Sequence, residues 1–455
     1  MSKRPVPIVA IVGRANVGKS SFFNAVLERR EAIIADEPGT TRDSIMAKAS
    51  VQTRDGHQDF WLVDTAGIKD PEDDFEFTIQ EQILQAADSA DVIIVMVEAH
   101  VGISEEDRRV AKMALKTRKP VILIGNKIDK ARGQNMDHLQ KLGIKPIFAT
   151  SVTQSNGIDE VLMHLVTALP KASITEDDDR IRVALLGRPN VGKSALFNAL
   201  SKKQQAIVAD RAGTTRDVNR SIVRYNSREV ELLDTAGIRR SGKIERGIEK
   251  FSVIRSLAAI EQADVCLLLM DVNELNVQLD QKIAGIVKEA GKGLILVVSK
   301  WDNLEDKDAY TRDALAPKIS NNYAFVPWAP LILTSSVTGQ NVTKIYDLVL
   351  EIMTQRGKRI KTTDINRWMR KVTDRHPPAG LKNRNPKLNY IVQEDDNPIP
   401  SFKVFGSHTK FLHWSYKRHM DRKIREEYGY EGTPVQFWFI EKHVTHKHGK
   451  SPTKD

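Results

Sequence analysis

Eight consecutive residues, Gly13-Arg14-Ala15-Asn16-Val17-Gly18-Lys19-Ser20, place two glycines before a lysine and a hydroxyl. Backbone N–H groups of such a loop cradle phosphates, the lysine reaches the outer phosphates, and the serine suits Mg²⁺. The pattern returns as Gly187-Arg188-Pro189-Asn190-Val191-Gly192-Lys193-Ser194. One match can be an accident, but a second in the same surroundings is poorly explained by chance. Each is followed by a matching run, Asp64-Thr65-Ala66-Gly67-Ile68 and Asp234-Thr235-Ala236-Gly237-Ile238. The aspartate closes an apolar stretch, Phe60 to Val63 or Val230 to Leu233, where a carboxylate can approach the metal through water. Between them lie Pro38-Gly39-Thr40-Thr41-Arg42-Asp43 and Ala212-Gly213-Thr214-Thr215-Arg216-Asp217. Thr41 and Thr215 are the candidates for sensing the outermost phosphate through the metal, with Thr40 and Thr214 as the alternative. The catalytic candidates are therefore Lys19, Thr41, Gly67, Lys193, Thr215 and Gly237. The Mg²⁺ candidates are Ser20, Thr41, Asp64, Ser194, Thr215 and Asp234.

A third motif sets the base. Asn126-Lys127-Ile128-Asp129 follows the strand-like run Val121 to Ile124, and Ser299-Lys300-Trp301-Asp302 is its second copy. An aspartate there accepts two hydrogen bonds from the edge of guanine. Adenine lacks the 2-amino group and would leave the carboxylate unpaired. Ser151 and Ser335 sit where a further loop can touch the base edge. Ser299 stands in place of asparagine and shortens the side chain that would meet the base, so weaker affinity is expected in the second copy.

These motifs recur at a spacing of about 170 residues, too long for a solenoid, so the chain carries a duplicated domain. The acidic stretch Thr175-Glu176-Asp177-Asp178-Asp179 lacks apolar periodicity and reads as linker. In the first copy, strands are expected at Ile8 to Val12, Val92 to Val97, Val121 to Ile124 and Ile147 to Ala149. Helical spacing covers Ser20 to Leu27, Ser104 to Lys116 and Asp159 to Leu169. In the second, Val183 to Leu186, Val265 to Met270 and Leu294 to Val298 are the strand candidates. Such alternation predicts α/β domains of mostly parallel sheets flanked by helices, with ligands at the ends of the strands.

The 455 residues exceed a single small module, and 41% hydrophobic with 28% charged residues excludes a disordered or collagen-like chain. The lone cysteine, Cys266, excludes a disulfide framework and reads as a small core residue. No apolar run approaches the roughly 18 residues of a membrane helix, and a cytoplasmic protein is expected. From Arg356 onward there are 22 basic against 11 acidic residues, while the preceding residues carry 47 against 48. That segment suits a phosphate backbone, and a merely solvated surface is the alternative. Interleaved aromatics such as Trp368, Phe402, Tyr416 and Phe437 allow it to fold. Helices are expected at Asp364 to Asp374 and Thr409 to Glu427, with strands at Leu388 to Gln393, Phe402 to Phe405 and Val435 to Ile440. Lys417, Arg418, Arg422, Lys423 and Arg425 are the RNA-contact candidates. Gly429-Tyr430-Glu431-Gly432 matches an RNA-clamping loop formally, but Glu431 makes a plain turn the better reading. His443, His446 and His448 read as part of a frayed basic tail.

The two motif sets resemble translation-factor-type GTPases, and tandem G domains before a basic C-terminal domain resemble the Der (EngA) family of ribosome-assembly GTPases over almost the whole chain. His376-Pro377-Pro378, Ser415-Tyr416-Lys417-Arg418 and Gly432-Thr433-Pro434 are similar to that family's KH-like domain. The resemblance implies a first GTPase domain at 1–170, a linker at 171–180, a second GTPase domain at 181–355, an α+β KH-like domain at 356–445 and a tail at 446–455. It implies GTP as substrate, a role in maturation of the large ribosomal subunit through rRNA, and a monomer. Ala15 replaces the usual proline of the family's first loop. Ile68 and Ile238 stand where Ras-like GTPases place the glutamine that orients water, so slow hydrolysis is expected. The resemblance implies a bound K⁺ held partly by Asn16 or Asn190; the alternative is that each asparagine only caps its loop. A tRNA-modification GTPase, or an RNA-binding scaffold with a structural second site, are the competing functions.

Overall fold

Apolar runs without alternation form central strands, because a strand covered on both faces has no solvent side. The computed structural model describes residues 6–28, 46–53, 56–64, 90–131, 136–170, 180–202, 219–234, 256–304, 311–381, 384–395 and 397–441. In the first copy β1 (Ile8–Val12), β2 (Met46–Thr53), β3 (Gly56–Asp64), β4 (Val92–Glu98), β5 (Val121–Asn126) and β6 (Ile147–Ala149) form one sheet in the order β2-β3-β1-β4-β5-β6. All pairs are parallel except β2 with β3. Every residue of β1 is buried, and β4 is buried except at Glu98.

Helices α1 (Lys19–Glu28), α2 (Glu105–Lys116) and α3 (Ile158–Ala168) flank the sheet. Phe22, Phe23 and Val26 of α1 share one cluster with Ile158, Val161 and Leu165 of α3 and with Val9, Ile11, Ile94 and Met96 of the strands. Those strand residues lie two apart and so share a face. The intervening Ala10, Ile93 and Val95 are equally buried, so the opposite face is covered too. α2 begins at a capping box: Ser104 Oγ accepts the Asp107 N–H at 3.1 Å, and the Ser104 N–H donates to Asp107 Oδ2 at 3.0 Å.

The second copy repeats the arrangement. β7 (Ile181–Leu186), α4 (Lys193–Lys202), β8 (Asn219–Tyr225), β9 (Arg228–Asp234), β10 (Val265–Asp271), α5 (Gln278–Glu289), β11 (Gly293–Ser299), α6 (Thr311–Asn322), β12 (Leu331–Leu333) and α7 (Lys344–Gly357) follow in sequence. The sheet order β12-β11-β10-β7-β9-β8 is the first order read from the other edge, with β8 and β9 antiparallel. Cys266 is fully buried in β10. The edge strands β2 and β8 went unread in the sequence because polar residues interrupt them, as expected where one edge faces water.

The C-terminal module holds α8 (Thr362–Arg375), β13 (Lys387–Gln393), β14 (Ser401–Ser407), α9 (Trp414–Tyr428) and β15 (Gln436–Glu441). β13 runs antiparallel and β15 parallel to β14. Ile365, Trp368, Met369 and Val372 of α8 and Tyr416, Met420 and Ile424 of α9 recur every three or four residues and share a core with Ile391, Phe402 and Val404. The helix expected from Thr409 begins instead at Trp414. His408 takes a left-handed φ of 55°, Thr409–Phe411 forms one 3₁₀ turn, and Leu412 is extended. His413 then caps α9 by accepting the Ser415 N–H. Gly429 (φ 86°) ends α9 in a turn, with its N–H on the Arg425 carbonyl. Tyr430 is buried there, so the 429–432 run is no exposed clamp.

The chain divides into two compact units, Met1–Pro327 with Leu331–Tyr346 and Trp328–Pro330 with Asp347–Asp455. The first contains both six-stranded sheets and the second the three-stranded sheet. Among the described residues no helix is long and apolar enough to cross a membrane. Thr41, Thr215, the runs 65–68 and 235–238, most of the linker, and the tail with its three histidines lie outside the described residues.

Candidate nucleotide-binding sites

Each phosphate loop begins where its backbone passes close to the neighbouring strand. A Cβ at Gly13 (φ 156°) would lie 2.5 Å from the Met96 carbonyl oxygen, and one at Gly187 (φ 132°) 2.5 Å from that of Leu269. Only glycine fits both the space and the torsion. Three residues on, Asn16 and Asn190 both take φ 64° and are exposed, a conformation asparagine tolerates better than most residues. Lys19 is buried at the head of α1 and donates to the carbonyls of Gly13 at 2.8 Å and Arg14 at 2.7 Å. Lys193 does the same with Gly187 at 2.7 Å and Arg188 at 2.5 Å. Burial lowers the Lys19 pKa, opposed by the negative charges of Asp64 and Glu106.

Register brings the acidic motif to the loop. Ile11 pairs with Asp64 across β1 and β3, and Leu185 with Asp234 across β7 and β9. Ser20 Oγ donates to Asp64 Oδ2 at 2.5 Å, joining a hydroxyl and a carboxylate, hard oxygen donors of the kind Mg²⁺ prefers. The Asp234 side chain lies outside the described residues.

The base-recognition loop is tied to the phosphate loop by its first residue. Asn126 Nδ2 donates to the Val17 carbonyl at 2.9 Å, while Asn126 Oδ1 accepts from Thr150 Oγ1 at 3.0 Å. In the second copy Ser299 Oγ lies 2.6 Å from the Val191 carbonyl and 3.0 Å from that of Met270. Its single proton serves one at a time, and the shorter contact is the phosphate-loop tie. Ser299 therefore keeps the tie, and what it lacks is the bond to threonine, since Thr334 Oγ1 turns to the Val298 carbonyl. Downstream, Ser151 Oγ donates to Asp129 Oδ1 at 2.6 Å, and this bond lowers the Asp129 pKa. Asp302 Oδ1 is buried without a hydrogen-bond partner among the described residues, and Ser335 Oγ accepts the Thr338 N–H at 3.0 Å. Ile128 and Trp301 open matching 3₁₀ turns after Lys127 and Lys300.

Residues 8–127 and 182–300 match the family described as 50S ribosome-binding GTPase, and 359–439 match the KH-domain-like C-terminal region of EngA bacterial GTPase enzymes. GTPase Der of Chloroflexus aggregans is 41% identical over 445 residues, covering 96% of this chain and 98% of that one. The chain belongs to the Der (EngA) family of GTPases. GTPase Der of Alkaliphilus metalliredigens is 40% identical over 96% of this chain and 98% of its own. A crystal structure of Era from Aquifex aeolicus bound to GDP and aluminium fluoride covers 58% of this chain and 94% of that one, at 21% identity and TM-score 0.30. A Der-family chain takes GTP as its substrate and hydrolyses it.

On the Der-family KH-like module, the five basic residues read from the sequence all fall on α9 but do not all face solvent. Arg425 is spent internally: its Nη1 donates to the carbonyls of Tyr430 at 2.6 Å and Thr433 at 3.0 Å, Asp421 pairs with it, and its guanidinium lies 5.7 Å from the Trp328 ring. Lys423 pairs with Glu426. Arg418 stacks on Trp414 at 4.6 Å, Lys417 lies over Phe439, and Arg422 is largely exposed.

The acids that anchor the two loop arginines carry no motif of their own in the sequence. Arg14 meets Asp107 at 3.4 Å and Glu98 at 3.7 Å. Arg188 meets Asp280 at 3.1 Å and Glu274 at 2.8 Å. Glu98 and Asp271 end the strands β4 and β10, and the signal available was an acid at the same place after both apolar runs. The tie made by position 299 predicts an order of GDP affinity at the second site: Ser299→Asn, regaining a bond to Thr334, is tighter by about 1 kcal/mol, and Ser299→Ala is weaker by a similar amount. Calorimetric titration of the full chain in a Lys19→Ala background checks it, and Ser299→Ala binding as tightly as the parent contradicts it.

Proposed function

We propose that the chain is a two-site guanine-nucleotide switch, hydrolysing GTP slowly and acting on the large ribosomal subunit during its assembly, as a cytoplasmic monomer. The observation that supports it most directly is the repetition of one tie, Asn126 to Val17 and Ser299 to Val191, which joins a phosphate cradle to a base-recognition loop in each copy. In this reading residues 1–170 and 181–355 are the two GTPase domains, joined by a linker at 171–180, and 356–445 with the 446–455 tail form the RNA-contacting part. Lys19 and Lys193 hold the outer phosphates, with Thr41, Gly67, Thr215 and Gly237 completing the catalytic set. Ser20, Thr41 and Asp64, with Ser194, Thr215 and Asp234, hold Mg²⁺. When bound, Mg²⁺ neutralises charge on the phosphate oxygens. Asp129 and Asp302 select guanine, supported by Ser151 and Ser335.

Ile68 and Ile238 carry no group that orients water, which leaves the charge beside the phosphates to assist, and K⁺ held by Asn16 and Asn190 would add to it. The left-handed backbone of both asparagines also accounts for the residue type without any cation. Asn16→Gly keeps that torsion and removes the amide, so it separates the two roles. GTP turnover should be several-fold faster in KCl than in NaCl at equal ionic strength, and Asn16→Gly with Asn190→Gly should abolish the difference. Equal rates of the parent in both salts contradict the K⁺ role.

The ribosome-binding surface is assigned to Lys417, Arg418 and Arg422 of the α9 patch, leaving aside Arg425, which the carbonyls of Tyr430 and Thr433 hold, and Lys423, which donates to Glu426. Changing all three to alanine should weaken cosedimentation with large subunits about tenfold or more at moderate salt and flatten its salt dependence by up to about three charges. GTP affinity should stay at the parent value. Parent-like subunit binding across a salt titration would place the surface elsewhere.

A further inference from the structure

Glu98 lies at the end of β4 directly beside Asn126 in the sheet, and Asp271 occupies the same place on β10 beside Ser299. Glu98 Oε1 holds the Lys127 ammonium at 2.7 Å, and Glu98 Oε2 stands 3.7 Å from Arg14 Nη2 and 3.7 Å from His100 Nε2. The same Lys127 Nζ donates to the Asn16 carbonyl at 2.6 Å. One carboxylate thus touches both the phosphate loop, at Arg14, and the base-recognition loop, at Lys127, while its lysine returns to the phosphate loop at Asn16. Lys127 has a left-handed φ of 62° and Lys300 one of 56°, a torsion unusual for lysine, so something outside the local chain must favour it.

The second copy repeats the lysine contact with a shorter acid. Asp271 Oδ2 lies 2.7 Å from Lys300 Nζ, and Asp271 Oδ1 accepts the Asn273 N–H at 3.0 Å. Arg188 turns to Glu274 and Asp280, so Asp271 keeps the lysine and gives up the arginine. Burial raises the pKa of both Glu98 and Asp271, but the facing cations outweigh it and the net shift is downward. Each acid is therefore ionised at neutral pH.

We propose that Glu98 is a positioning residue that holds Lys127 of the Asn-Lys-x-Asp motif against the phosphate loop, that Asp271 anchors Lys300 in the second copy, and that each thereby slows release of the bound nucleotide. The inference rests on the guanine-nucleotide reading of these sites. Removing the negative charge frees the lysine from its anchor, and the Lys127 ammonium then loses its fixed approach to the Asn16 carbonyl. In the first copy the Arg14 contact is lost as well, so Glu98 has the larger effect.

The test follows release of fluorescent GDP from the full chain carrying Lys193→Ala, so that the first copy alone reports. Glu98→Gln should accelerate release about tenfold, the effect of losing one charge-assisted hydrogen bond. Glu98→Asp should restore most of the slow release, because Asp271 reaches its lysine from the same register. In the Lys19→Ala background, Asp271→Asn should accelerate release from the second copy by a smaller factor. A purely structural role would lower the unfolding temperature without this split between the amide and the shorter acid. If the Lys193→Ala chain binds GDP and Glu98→Gln releases it at the parental rate, the positioning role falls and the nucleotide reading stands. If that chain binds no guanine nucleotide, both fall.

Discussion

A side chain at the end of β5 and of β11 donates to a carbonyl of the facing phosphate loop, and the rest of each site depends on that contact. Gly13 and Gly187 let their loops pass under the carbonyls of Met96 and Leu269. Asn126 or Ser299 then holds the far side of the loop at Val17 or Val191. With both ends fixed, Lys19 and Lys193 fold back over their own loop carbonyls, a compact arrangement of a cation with dipoles. Backbone N–H groups preorganised in this way can receive phosphate with little rearrangement.

The two copies solve the same packing problem with different side chains. Asparagine bonds the phosphate loop and a threonine together, whereas serine bonds the phosphate loop and leaves more room beside Gly192. A Cβ at Gly18 would lie 2.3 Å from Asn126 Nδ2, but one at Gly192 would lie 3.9 Å from Ser299. Asp129 is held by Ser151, while Asp302 presents a buried oxygen without a hydrogen-bond partner among the described residues. The arginine after the first loop glycine is anchored in both, by longer ion contacts at Arg14 and by short hydrogen bonds at Arg188. Duplication preserved the geometry of the contacts more closely than the residues that make them.

Much of this was legible in the sequence because the signals were local or repeated. Continuous apolar runs gave β1, β4, β10 and β11, since parallel strands covered on both faces need no polar alternation. The edge strands β2 and β8 carried no such run. Thr409 to Glu427 looked like one helix by its apolar spacing, yet His408 turns left-handed and the helix starts only at Trp414. Arg425 looked like surface charge by composition, but carbonyls of the turn after α9 claim it. That contact, like the meeting of Glu98 with Lys127, joins residues whose relation depends on tertiary placement rather than on spacing.

The central claim is that one chain carries two complete guanine-nucleotide sites. Calorimetric titration of the full chain with GDP, and separately with ADP, tests it most directly. Two GDP per chain, falling to one in Lys193→Ala and to one in Lys19→Ala, with no measurable ADP binding, is the predicted result. A single GDP per chain that is unaffected by Lys193→Ala would contradict it.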